Sequence, residues 1–196
     1  MTITPRNEVT EVAIKLLIWA ETDLAAEHIL AVGAPKPRIG RTTLGLVSPK
    51  HVRRQAAVFR MVSVVEAFLD TLSRELTGSY VPYRTKTLNL LLEDFDVNTT
   101  FSWQQREDAY RRYHGIELKK CAAWDEINAA IQARNSIAHG LGRITPKQVR
   151  KANLASQLKA IDISIVNGEL NFGEKCLTLV RDACSEFVKA VDALTP

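Results

Sequence analysis

Cysteine is scarce in this 196-residue sequence: there are three, with no Cys-x-x-Cys pair among them. An odd, scattered set is a poor disulfide framework and a poor zinc site. Cys176 and Cys184 lie eight residues apart on one predicted helix, about 12 Å along its axis and too far apart to bridge. All three are read as buried small apolar residues. Long apolar runs are missing too. The one near the N-terminus, residues 16–20, falls far short of the ~20 residues that cross a bilayer. Glu8, Glu11 and Glu21 surround it without a basic lead-in, the wrong frame for a secretory signal, so a cytoplasmic protein with no membrane partner is expected. No GxxxxGK[ST], HExxH or GxSxG pattern occurs, which removes the motif-based nucleotide-binding, zinc-protease and serine-hydrolase readings.

What is present is ordinary in amount, with 46% hydrophobic and 24% charged residues. At this length the chain buries enough surface for a self-sufficient core, and one compact unit is the default. Within it, residues 1–48 are read as an N-terminal helix and connector and residues 49–196 as the main domain.

The net charge of +4 is unevenly spread. Residues 31–60 hold seven Lys or Arg, among them Lys36, Arg38, Arg41, Arg53 and Arg54, and no acid; residues 101–150 hold nine against five. Everything else is mildly acidic. Two basic segments folded side by side attract polyanions, with an affinity that falls as salt rises; scattered basic residues serving solubility are the competing account.

Hydrophobic periodicity is helical almost throughout. Val9, Val12, Leu16, Trp19 and Leu24 begin a helix expected to reach about residue 30, followed by a Gly- and Pro-bearing connector over 32–41. Ser48-Pro49 supplies a cap and a proline at the first helical position, and Val58, Val62, Val65, Leu69, Leu72 and Leu76 make a 4-3-4-3-4 stripe that stops at Gly78. Further helices are predicted over 87–95, 102–113, 117–139, 145–158 and 174–194. The one strand signal is alternation over 161–165 and 169–172 about Asn167-Gly168, a favoured hairpin turn. The expected fold is an all-α bundle with a small peripheral β-hairpin.

Chemistry concentrates at the end of the 117–139 helix. The 3-4 spacing that sets Trp124, Ile127, Ile131 and Ala138 on the apolar stripe also places Arg134 there, with Asn135 and His139 as i, i+4 neighbours on its edge. Polar groups where the pattern asks for core require partners or a working cleft. Glu66 interrupts the stripe of the 49–78 helix in the same way, though a carboxylate at the border of an amphipathic helix is an equal reading.

Arg134-Asn135-Ser136-Ile137-Ala138-His139 resembles the R-N-x-x-x-H signature of HEPN domains, small helical bundles many of whose members are metal-independent ribonucleases. The resemblance rests on this motif ending a long helix, on Trp124 ten residues upstream, on Gly140-Leu141-Gly142-Arg143-Ile144 downstream and on element order; it covers residues 50–194. It implies an endoribonuclease of the toxin or antiphage-defence kind that needs no metal or cofactor. His139 becomes the general acid/base on a ribose 2′-OH or 5′-oxygen, Arg134 the phosphate holder, Asn135 an orienting donor and Glu66 an anchor for Arg134. Arg53, Arg54, Arg143 and Lys147 are the candidate RNA-binding residues. Some toxin members carry a Tyr two residues after the His that an antitoxin modifies; Leu141 stands here, which puts that control in doubt while leaving another antitoxin or defence partner open. At 100° per residue Arg134 and His139 are about 140° apart on the helix; the family solves this by pairing two motifs across a two-fold axis, which implies a homodimer. The alternative is a non-catalytic module of the same fold that binds RNA or a protein.

Overall fold

The computed structural model describes residues 8–25, 40–42, 45–47, 49–80 and 85–195. Helix α1 (Glu8–Ala25) leads to a pair of three-residue strands, β1 (Gly40–Thr42) and β2 (Gly45–Val47), and then to α2 (Pro49–Tyr80), the longest described element. Next come α3 (Lys86–Thr100), α4 (Trp103–Ala109), α5 (Trp124–Gly140), α6 (Pro146–Val149), α7 (Leu154–Ala160), β3 (Ile163–Val166), β4 (Glu169–Phe172) and α8 (Cys176–Leu194). The fold is all-α with small hairpins, as the periodicity predicts; β1 pairs antiparallel with β2 inside the segment expected to be a plain connector. The expected extension of α1 over 26–30, and with it His28, Lys36 and Arg38, lies outside the described residues.

Helix α2 organises the core because its 4-3-4-3-4 stripe gives it a continuous apolar edge. Val58, Val62, Val65, Leu69 and Leu72 are all buried, and α1, α5 and α8 pack around them. Leu17 from α1, Ile127 and Ile131 from α5, and Val180, Phe187 and Val191 from α8 complete the same cluster. Each fully buried large aliphatic or aromatic side chain contributes roughly 1.5–3 kcal/mol. Cys121, Cys176 and Cys184 are buried in this cluster, and burial pushes their thiols up, to about 11 for the first two and about 12 for Cys184. They pack as apolar residues and are poor nucleophiles.

Two predicted helices are divided. Residues 117–139 form one short 3-10 turn (Leu118–Lys120) and then α5, with Ala123 between them in the left-handed region at φ 59°. Alanine favours helix, but burial of Leu118 and Cys121 directs the chain inward and overrides that preference. Residues 145–158 divide into α6 and α7. Helix α4 passes into a single π turn (Tyr110–His114) before Gly115 ends it at φ 69°.

Side-chain caps open three helices, those at Ser102 and Thr145 as expected from sequence and Thr85 in addition, while the expected cap Ser48 lies outside the described residues. Ser102 Oγ accepts from Gln105 N at 3.2 Å, Thr85 Oγ1 accepts from Leu88 N at 3.2 Å, and Thr145 with Gln148 forms a capping box at α6. In the β3–β4 hairpin Val166 faces Glu169, so Asn167 and Gly168 form the turn, both at positive φ. This hairpin also receives the turn after α5: Leu170 N donates to Gly142 O at 2.8 Å and Ile144 N to Gly168 O at 2.9 Å.

Candidate functional site

Helices α2, α4 and α5 and the turns beside them enclose a cleft of about 770 Å³. Glu66, Arg134, Asn135, His139 and Lys147 all line it, although α2 and α5 are far apart in sequence. Arg53, Arg54 and Arg143 do not. Arg54 donates from Nη1 to the Phe172 carbonyl at 2.5 Å, and Arg143 Nε lies 3.4 Å from Glu169 Oε1, so both act on the β3–β4 hairpin.

Arg134 is held on three sides. Its Nη2 lies 3.5 Å from Glu66 Oε2, its Nη1 donates to Asn135 Oδ1 at 3.3 Å, and its guanidinium carbon sits 5.2 Å from the centre of the Phe59 ring. A planar cation against an aromatic face and a carboxylate is fixed in direction as well as in place. Its side chain remains 26% exposed, leaving an edge of positive charge open to the cleft. His139, one turn further on, is exposed, and its imidazole makes no hydrogen bond to a described residue. An exposed imidazole lining the cleft is open to contact from a bound ligand.

Sequence reasoning missed what stands behind Glu66. Trp103 donates from its indole nitrogen to Glu66 Oε1 at 2.8 Å, and Arg106 Nη1 lies 3.9 Å from the same oxygen. Arg106 is in turn clamped by Asp70, Nε to Oδ1 at 2.7 Å and Nη2 to Oδ2 at 2.9 Å. Burial opposes the Arg106 charge, but the Asp70 hydrogen bond and the Asp70 and Glu66 charges more than compensate and raise its pKa. Two carboxylates from α2 and one arginine from α4 thus brace the side of the cleft opposite α5. The 66-to-70 spacing was the available signal: two acids one helical turn apart beside an apolar stripe.

Along α5 the cleft is lined by Asn128, Gln132, Asn135 and His139, a 4-3-4 polar row about 16 Å long. Beneath it lies a fully bonded polar network. Gln148 Nε2 donates to Gln132 O at 2.7 Å, and Ser136 Oγ donates to Gln148 Oε1 at 2.9 Å. Lys151 Nζ donates to Gln132 Oε1 at 2.9 Å. Buried and satisfied, this network fixes α6, with Lys147, against the motif helix. Among the cleft-lining residues five are Arg or Lys (Arg106, Lys119, Arg134, Lys147 and Lys151) and two are Glu (Glu66 and Glu107). Asp70 neutralises Arg106, and Glu107 neutralises Lys119 at 2.7 Å. The remaining positive field therefore comes from Lys147 and Lys151, next to Arg134.

Among the described residues no group of three or more His, Cys, Asp or Glu side chains is arranged to hold a metal ion. Among the described residues no helix is long and apolar enough to cross a membrane. No family model matches the chain, and no curated protein or solved structure matches it either.

Proposed function

We propose that this cleft is the active site of a metal-independent endoribonuclease of the toxin or antiphage-defence kind. The observation that carries the reading is the convergence of Arg134, Asn135 and His139 with Glu66 on one cleft whose uncompensated charge is positive. Such a cleft attracts a phosphodiester, and the residues at its mouth have the chemistry to transesterify it.

In this reading the scissile phosphate lies against Arg134, whose direction is held by Glu66 and Phe59. The ribose 2′-oxygen attacks phosphorus and its proton passes to a histidine base. The bond from phosphorus to the 5′-oxygen breaks, and that oxygen leaves with a proton from a histidine acid. Arg134 stabilises the extra negative charge of the pentacoordinate state, and Asn135 donates to a phosphate oxygen. One imidazole cannot serve both sides of phosphorus at once, so the second is supplied by a symmetric partner copy with its residues 134–139 facing these. Glu66 is a positioning residue acting through Arg134.

The test is cleavage of single-stranded RNA by the purified chain in EDTA. The expected products carry a 2′,3′-cyclic phosphate and a free 5′-OH, and a single 2′-deoxy substitution at the cleaved nucleotide abolishes cutting. His139→Ala stays folded and loses several orders of magnitude in rate. Cutting of the deoxy substrate, loss of activity on chelation, or full activity in His139→Ala overturns the mechanism, and monomer alone by light scattering at tens of micromolar overturns the paired site. A second reading, a non-catalytic RNA-binding module of this fold, is favoured by one contact: Glu66 already compensates part of the Arg134 charge. It predicts RNA binding without cleavage, unchanged in His139→Ala.

A further inference from the structure

The cleft is lined by more than the motif, and one of its lining side chains has no structural task. Phe101, in the turn between α3 and α4, lines the cleft yet is 86% exposed. Scattered exposed apolar residues are common, but this one has three further features. It stands two residues before Trp103, whose indole is bonded to Glu66, so the Phe101 backbone is tied to the motif through ~7 Å of chain. Ser102 between them caps α4, with its Oγ accepting from Gln105 N at 3.2 Å, which fixes the turn that presents the ring. The polar row of α5 lines the same cleft, and in it Asn128 accepts from Gln132 Nε2 at 3.4 Å through its oxygen and retains a free amide NH₂. The cations without an acidic partner in the cleft, Lys147 and Lys151, line it too.

We propose that Phe101 and Asn128 form a nucleobase subsite, in which an unpaired base stacks on the Phe101 ring and its edge accepts from the Asn128 amide while Lys147 and Lys151 follow the phosphates. The ligand class is single-stranded RNA with unstacked bases. An aromatic face takes any base, and duplex RNA hides its bases from such a ring. The free donor on Asn128 favours bases that offer carbonyl acceptors, uracil, cytosine and guanine, over adenine, which accepts only through ring nitrogens. The subsite rests on the reading of the cleft as an RNA site, but on binding and not on cleavage.

The experiment uses the His139→Ala chain, so that the probe survives, and a short single-stranded RNA carrying one 2-aminopurine, whose fluorescence is quenched on stacking. The expected result is saturable quenching. Phe101→Ala abolishes the quenching and weakens binding about tenfold, as loss of one base stack does, and Phe101→Trp restores both. Asn128→Ala reduces the preference for oligouridine over oligoadenosine. Thermal unfolding of Phe101→Ala is unchanged, since the ring is exposed. Binding of full strength without quenching, or Phe101→Ala binding as tightly as the parent, overturns the subsite while leaving the cleft as an RNA site. An RNA that is bound and stacked but never cut by the unsubstituted chain overturns the ribonuclease reading and upholds the subsite. Absence of RNA binding at moderate salt overturns both.

Discussion

Replacing Glu66 by Gln separates the work of one carboxylate from that of its neighbours. The amide oxygen still accepts from Trp103, so the change removes charge and little else. In the parent, Glu66 Oε2 is 3.5 Å from Arg134 and Oε1 is 3.9 Å from Arg106, with side chains 14%, 26% and 10% exposed. At these distances and an effective dielectric of about 20, each attraction is worth roughly 4 kcal/mol before desolvation, which cancels most of it. Breaking a fully buried pair costs about 3–5 kcal/mol. Here Arg106 retains both bonds to Asp70, and Arg134 retains Phe59 and some water, so the net loss is about 2 kcal/mol. For a chain of this size that lowers Tm by about 4–8 °C, readable by circular dichroism. A double-mutant cycle with Arg134→Gln isolates the pair and is expected to show about 1 kcal/mol of coupling. A Tm within a degree of the parent, or losses that simply add, would refute the claim that Glu66 holds Arg134. If the anchor holds, Glu66→Gln also reduces the cleavage rate more than RNA affinity, because the arginine loses direction and keeps its charge.

Three further outcomes follow from the surroundings of the site. Burial lowers the His114 pKa below 6.5, and its Nε2 lies 2.8 Å from Ser73 Oγ; the unfolded chain therefore takes up the proton first, so this contribution is complete above pH 6.5 and is lost as pH falls from there towards the depressed value. Urea titrations at pH 7.5 and 5.5 should show that decline, with a smaller slope in His114→Gln; an undiminished slope would reject the assignment. Gly142 sits at φ 91°, and a Cβ there meets Gln55 Nε2; Gly142→Ala should lose about 1–2 kcal/mol, and truncating Gln55 as well should recover only the contact and not the backbone strain. Charge reversal at Arg54 should lower Tm, because the bond to the Phe172 carbonyl is lost, whereas Lys147→Glu should leave Tm unchanged and weaken RNA binding with a flatter salt dependence; a stable Arg54→Glu would contradict the scaffold role.

Hydrophobic spacing made the helices of the core legible, because burial is a property of one face and one face is a short-range pattern. The α2 stripe and the Asn167-Gly168 turn could be read directly, and the caps at Ser102 and Thr145 located two helix starts, whereas Val12 and Trp19, read on the apolar stripe of α1, are exposed and Ala13, Leu17 and Ala20 are buried instead. The break at Ala123 could not be read, since two alanines favour helix locally and only the burial of Leu118 and Cys121 decides otherwise. Glu66 and Arg134 were each visible as polar interruptions of apolar stripes, but their pairing was implied only by the family resemblance. Its support from Trp103, Arg106 and Asp70 was not, because such contacts depend on how α4 docks on α2. Arg53 and Arg54 illustrate the converse limit: local charge density marked them for RNA, while a single long-range bond from Arg54 to the hairpin carbonyl gives that side chain a task in the scaffold.

The two backbone bonds that tie the turn after His139 to the β3–β4 hairpin make the two segments one unit of opening. Strands of four residues are short and have little stability of their own, so the free energy that keeps the last turn of α5 closed is shared with the hairpin. Amide exchange at Leu170 and Ile144 should then rise and fall together, and in step with the amides of Ser136 to Gly140. Any partner that peels the hairpin away at its exposed Asn167-Gly168 tip would release the histidine's end of the helix without touching the cleft, a handle on the site from the opposite side of the hairpin.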